Sequence, residues 1–288
     1  MPVAGGEARF ALLSAGDPVK PRTLAANARR NANGGARRMW RWRATRAAAW
    51  ALLERHVKPG ATVAVVGAGN GHDLPLRRLG RSAGRLDLID LDPIALRGTR
   101  RRLRLAGVSA TTITQDVTGG VAELIIRDAV AQRPVRALPA PQTIGAPPYD
   151  VVIADQFFSQ LLYPALSDSR LPAQAVNTVL RAHGQGLTNA VVAGLVAAAP
   201  GGLVICIEDV LGWWPGRDQP FAIEDVLAAS PEEAMRLVER GKSARGSNGR
   251  TALTLAGAEV VDRSFWRWPF AGGTDYLVCA TVARASGP

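Results

Sequence analysis

Residues 63–93 read VAVVGAGNGHDLPLRRLGRSAGRLDLIDLDP. The first four form a short, mostly β-branched apolar run, of the kind that a parallel sheet buries on both faces. Gly67, Gly69 and Gly71 then alternate. That spacing lets the backbone turn tightly and lets a ligand reach the main chain without meeting a Cβ. Asp73 follows where a helix should start, its charge suited to the positive end of the dipole. Residues 86–89 make a second apolar strand, and Asp90 closes it. A carboxylate across from a glycine turn is the arrangement that holds a ribose by its hydroxyls.

The glycines spell GxGxG, with His72 standing where a dinucleotide fingerprint places its third glycine. Together with Asp90-Leu91-Asp92-Pro93, this stretch resembles the S-adenosylmethionine (SAM) site of the class I methyltransferases. In that family an apolar strand runs into GxGxG and an acid closes the next strand. The specific part of the resemblance is residues 63–93, and its general part extends over residues 36–288. It implies an α/β fold: a doubly wound, mostly parallel seven-stranded sheet with helices on both faces and an antiparallel last strand. It also implies SAM as cofactor, held by Gly67, Ala68, Gly69, Gly71, Asp90, Leu91, Asp116, Val117 and Gln156. In the resembled family an acid after the third strand meets the adenine amino group, and Asp116 matches it. An Asp ahead of Thr118-Gly119-Gly120 is equally what a loop and helix start would use.

The β-α alternation by itself predicts crossover helices on both faces of a parallel sheet. A helix over 37–57 precedes the first strand, with Trp50, Leu53 and Val57 on one face. Trp40 and Trp42 lie in that helix, as packing residues or against a ligand. Residues 149–155 form the fourth strand and end on Asp155. Pro147-Pro148-Tyr149 precedes this strand, whereas the tetrad of amino-group methyltransferases that it resembles follows theirs, so that match fails. A helix over 172–181 is expected to break at His183-Gly184-Gln185-Gly186, with Thr188 capping the next one. Residues 203–207 form a fifth strand followed by Glu208-Asp209, and 259–268 and 276–283 form the closing pair.

Two residues are candidates for proton transfer or acceptor orientation. Asp155 closes the fourth strand, where it could equally cap the next turn or bind the cofactor's ammonium. His183, in an expected loop with glycines, could be a general base or a surface or helix-capping histidine. The aromatics at 213, 214, 265, 266, 268 and 270 suit either a flat or cationic acceptor or the core.

Composition narrows the function classes. Apolar residues make up 47% of 288, enough for a sizeable core. Cys206 and Cys279 lie in strand-like runs with no CxxC partner, which predicts structural thiols in a reducing compartment. His56, His72 and His183 lack metal-ligand spacing, so no metal is expected. The net charge is +11, and residues 1–104 carry 21 Lys and Arg against 7 Asp and Glu, while 105–288 carry 14 against 17. A basic amino-terminal third faces nucleic acid or an acidic substrate, or reflects an Arg-rich composition. Residues 1–35 read as a basic extension or lid, separate from a domain over 36–288. No secretory segment or membrane span is expected, because Pro200-Gly201-Gly202 divides the most apolar region. A cytoplasmic protein follows, with oligomerisation left open.

The leading expectation is methyl transfer from SAM to a small-molecule acceptor, with nucleic acid as the alternative acceptor. A module that binds SAM or RNA without chemistry is a further reading. Aminopropyl transfer, in the manner of spermidine synthases, fits less well: those enzymes carry a second acid soon after the strand-four Asp, and here Gln156-Phe157-Phe158 follows.

Overall fold

A computed structural model of the chain describes residues 21–32, 35–136, 138–243, 247–270 and 272–287. Most of the expected extension, residues 1–20 and 33–34, lies outside them. Three helices open the chain: α1 (Arg22–Ala32), α2 (Gly35–Arg41) and α3 (Arg43–His56). Strands and helices then alternate as β1 (Thr62–Val66), α4 (Leu76–Ser82), β2 (Arg85–Asp90), α5 (Pro93–Leu105), β3 (Thr111–Thr114), α6 (Val121–Val130) and β4 (Val151–Asp155). A 3₁₀ turn (Phe158–Gln160), α7 (Tyr163–Ser167), α8 (Ala173–Ala198) and β5 (Leu203–Trp213) follow. The chain closes with α9 (Ile223–Ala228), α10 (Pro231–Arg240), α11 (Gly249–Leu255), β6 (Glu259–Pro269) and β7 (Asp275–Arg284).

The seven strands form one sheet in the order β3-β2-β1-β4-β5-β7-β6. Pairing is parallel from β3 through β5, and β7 runs antiparallel to both β5 and β6. The expected doubly wound sheet with a reversed last strand is therefore present. Chain order reverses between β1 and β4, and this switch point opens a crevice beyond the carboxyl ends of the strands.

Side-chain alternation along each strand divides the core into two layers. Val63, Val65, Leu88 and Ile153 face α3, α4 and α5. Ala64, Val66, Val152 and Cys206 face α8 and α11. Both cysteines are buried and free. No helix among the described residues is long and apolar enough to cross a membrane.

Three expectations need correction. The helix over 37–57 divides at Trp42, whose indole Nε1 donates to Pro269 O at 2.8 Å. The break expected at 183–186 does not occur, and α8 runs through it for 26 residues. Each mid-helix glycine costs about 1 kcal/mol relative to alanine, but Leu187, Val191 and Leu195 are buried on the same helix. Gln185 also clamps Asn248 twice, accepting from its backbone N–H at 2.9 Å and donating to its carbonyl at 3.0 Å. Thr188 is thus a buried mid-helix residue, not a cap. Finally, β5 does not stop before Glu208-Asp209 but continues to Trp213 along β7, with a bulge between Asp209 and Leu211.

Trp42 packs on Trp268 and Phe270 at centroid distances of 5.2 and 6.2 Å, joining the α2–α3 corner to the far edge of the sheet. Trp42→Ala is expected to destabilise the chain by about 3–5 kcal/mol, read as a lower midpoint in urea unfolding.

Candidate active site

The turn after β1 owes its shape to its glycines. Gly67, Gly69 and Gly71 have φ of +78°, +40° and +52°, values that L side chains rarely adopt. A Cβ on Gly67 would lie 2.9 Å from the Asp155 carbonyl oxygen, so that position also needs glycine for space. The turn is tied to β2 through Gly67 N–H and Ala68 N–H, which donate to Ile89 O at 2.9 and 3.2 Å. Its carbonyls are held from the helices: Thr99 Oγ1 donates to Gly69 O at 2.9 Å, Arg102 to Asn70 O, and Arg46 to His72 O at 2.5 Å. Two arginines of the basic amino-terminal third thus brace the turn.

Asp90, at the end of β2, points into this arrangement. Its Oδ2 accepts from Gly69 N–H and its Oδ1 from Asp92 N–H, both at 2.8 Å. Burial pushes its carboxyl up to about 6 against those two bonds. Asp92 in turn caps α5 by accepting from Ile94 N–H and Ala95 N–H. Asn31 of α1 donates to Asp92 Oδ2 at 3.0 Å and lies over Gly69.

Beyond the strand ends, Gly67, Asp90, Leu91, Asp116, Val117 and Phe157 line one cavity. The structure therefore brings together most of the cofactor residues expected from sequence. Ala68 is buried beneath the turn, and Gly71 packs against Leu76 and Thr99. Asp116 accepts from Thr118 N–H, Thr118 Oγ1 and Gly120 N–H, so it shapes its own loop while bordering the cavity. Helix α1 covers this cavity with Thr23 and Asn27 and leaves a volume of about 60 Å³.

Gln156 stands elsewhere, in a second cavity of about 300 Å³ at the ends of β4 and β5. It has φ of +48°, a conformation costing a non-glycine residue about 1–3 kcal/mol. Its backbone N–H donates to Ile207 O and its carbonyl accepts from Gln160 Nε2, which hold it there. His183 lies within α8 and lines neither cavity. The expectation of a loop histidine is overturned, because the helix that carries His183 is continuous.

One pair of acids was not joined by sequence reasoning. Asp73 and Asp155 follow β1 and β4, which are adjacent strands. Each carboxyl lies within electrostatic reach of the other, and Asp155 Oδ1 has no hydrogen-bond partner; two buried carboxyls this close disfavour ionising together. Burial raises both, Asp155 well above the carboxylate range with Asp73 and Asp90 adding repulsion. The sequence signal was two strand-end acids flanking the glycine turn. His72 is buried beside them, and burial together with Arg102, Arg38 and Arg46 lowers it to about 4, so it is neutral.

No protein-family model matches the chain. A segment is 39% identical over 111 residues to the ribosomal protein L11 methyltransferase of Pelotomaculum thermopropionicum, covering 36% of this chain and 34% of that protein. The match thus spans about a third of that relative's length. Among solved structures, the N-methyltransferase NodS of Bradyrhizobium japonicum, in complex with S-adenosyl-L-homocysteine (SAH), aligns over 92% of this chain and 98% of its own, with 12% identity and a TM-score of 0.46. A SAM-dependent methyltransferase of Methanosarcina mazei aligns over 82% and 98%, with 12% identity and a TM-score of 0.47. The strand order, the reversed β7 and the glycine turn facing Asp90 decide the architecture. The architecture is the doubly wound, seven-stranded α/β sheet expected from the sequence.

The Asp73–Asp155 pair makes stability depend on pH with a defined sign. Unfolded, both acids titrate near about 3.9; folded, the pair keeps its proton to higher pH. Its contribution is full below the unfolded value and is lost as pH rises through the folded one. Asp155→Asn removes one titrating group. The fall in melting temperature between about pH 5 and about pH 8 should therefore be shallower in Asp155→Asn than in the parent.

Proposed function

We propose that this chain is an enzyme that transfers a methyl group from SAM to a small-molecule acceptor. The observation that carries the reading is the glycine turn, with Gly67 and Asp90 on one cavity at the switch point of the sheet. The residues present fit the cofactor. Positive φ at Gly67 and Gly69 leaves main chain free of Cβ atoms, and Asp90 and Asp116 offer carboxylate acceptors on the same cavity. Asp90 would take the ribose hydroxyls, and Leu91, Asp116 and Val117 the adenine.

Bound there, SAM supplies an electrophilic methyl group whose bonding pair returns to sulfur on transfer. The chain's own work is positional. Holding acceptor and methyl in line in a dry site is worth on the order of 7–11 kcal/mol. Burial and mutual repulsion disfavour charge on Asp73 and Asp155, and the cofactor's ammonium would relieve this, so Asp155 serves cation binding before base chemistry. A second cavity of about 300 Å³ across residues 156–159 supports a small acceptor.

Nucleic acid is the second reading, favoured by a separate cleft of about 270 Å³ bordered by Arg43, Arg46, Arg77, Arg78 and Arg102. Two of these already brace the turn, which weakens it. RNA binding that falls steeply with salt would favour this reading over a small acceptor.

Titration calorimetry with SAM and SAH tests the cofactor assignment. The parent chain should bind both, and Asp90→Ala should bind about 10–100-fold more weakly, the worth of hydrogen bonds to a charged group. Equal binding by the variant removes Asp90 from the site.

Helix α1 is the lid of this site in our reading, since a cavity of 60 Å³ is well below the roughly 300 Å³ at which ligand pockets begin. Glu123 fastens its start, accepting from Arg22 N–H, Thr23 N–H and Thr23 Oγ1 at 2.9–3.1 Å. Glu123→Ala should raise the SAH dissociation rate in stopped-flow displacement by roughly fivefold or more, the loss of one capping interaction worth about 1 kcal/mol.

A further inference from the structure

The cavity at the ends of β4 and β5 has an uneven lining. Phe158, Val210 and Val238 give it an apolar wall. The same lining carries Glu208, Asp209 and Glu239, with Arg250 as the one cation among the described lining residues. Arg250 lies 3.9 Å from Glu208 Oε2 and so offsets a single carboxylate. Among the described lining residues the balance is negative.

An independent observation marks the cavity as built to receive a donor. Gln156 is 4% exposed, and its Oε1 is buried with no hydrogen-bond partner. Its left-handed backbone sets it at the cavity wall. Glu208 is 5% exposed; its Oε1 accepts from Gly249 N–H at 2.7 Å, while Oε2 makes no hydrogen bond. Unmet buried acceptors are costly, and an N–H-bearing ligand would satisfy both. The bulge after Asp209 turns the strand at this point, a device common beside ligand sites.

We propose that this cavity is the acceptor site and that it takes a small aralkyl amine in cationic form. The apolar body lies against Phe158, Val210 and Val238, and the ammonium lies among Gln156, Glu208, Asp209 and Glu239. The proposal rests on the methyltransferase reading for its cofactor. In the transfer, one ammonium proton passes to Asp209, the freed nitrogen lone pair forms the new N–C bond, and the electrons of the broken C–S bond stay on sulfur. Burial pushes the Asp209 carboxyl up to about 7, although Ser159 Oγ donates to it, a value suited to taking a proton near neutrality.

The test uses three probes of one shape and different charge: phenethylamine, 2-phenylethanol and phenylacetate. Binding to the full chain is measured by calorimetry with and without SAH, and mass spectrometry follows N-methylated amine in the presence of SAM. Phenethylamine should bind and be methylated, with the alcohol weaker by about tenfold or more, the loss expected when a charged hydrogen-bonding partner is removed. Asp209→Asn and Glu239→Gln should each weaken amine binding by about tenfold and leave SAH affinity unchanged. Glu239 is exposed on α10, so its variant keeps the fold. Equal affinity for the alcohol, preference for phenylacetate (which would make Arg250 the anchor), or variants without effect would overturn the proposal. SAH binding without amine binding sinks this proposal alone. Amine binding without SAH binding sinks the cofactor reading alone.

Discussion

The Asp90 carboxylate holds three elements in one place. One oxygen accepts from the glycine turn after β1, the other from the residue that caps α5. Such charge-assisted bonds to backbone N–H groups are stronger than neutral ones. They fix the turn against the second strand where a ligand would meet it. The conformation of Gly67 and Gly69 would otherwise be an unsupported loop, and the helix start at Asp92 would have no fixed distance from it. Thr99, Arg102 and Arg46 then restrain the turn's carbonyls from the other side. The turn is pre-organised from both its donors and its acceptors.

Residues 156–161 carry the second constraint. Phe157, Gln160 and Leu161 face the cavity at the glycine turn, whereas Gln156, Phe158 and Ser159 face the one beside β5. A single short segment therefore contributes side chains to both cavities. The pair of acids at 73 and 155 stands at its head. The first chamber is shaped by backbone and by carboxylates bound to backbone. Side chains that differ in charge and size shape the second, which is where specificity would reside.

Much of the fold was legible because it rests on local pattern. Residues 63–66, 86–89 and 149–155 are strands by their apolar runs, and the turn between the first two by its glycines. The closing pair over 259–268 and 276–283 was legible for the same reason. What failed depended on tertiary partners. Gly184 and Gly186 read as a break, yet burial of Leu187 and Val191 and the Gln185–Asn248 clamp outweigh their propensity. Glu208 and Asp209 read as the end of a strand, yet pairing with β7 carries β5 past them. Asp90, Leu91, Asp116 and Val117 could be gathered at the first cavity by motif. The partnership of Asp73 with Asp155 could not, because it is made by strand adjacency across the sheet's switch point and not by spacing.

Helix α1 buries a single residue, Ala26, against Ile125 and Leu166, and its other holds are polar. Arg29 and Arg30 reach Asp168 from largely exposed positions, where such pairs contribute about 0–1 kcal/mol and are screened by ions. Were α1 to open as the lid proposed above, both layers on the sheet would stay covered, and Ala26 would leave the cluster it shares with Ile125 and Leu166. As such a lid, the helix would therefore answer to the electrolyte around the molecule more than the sheet beneath it does.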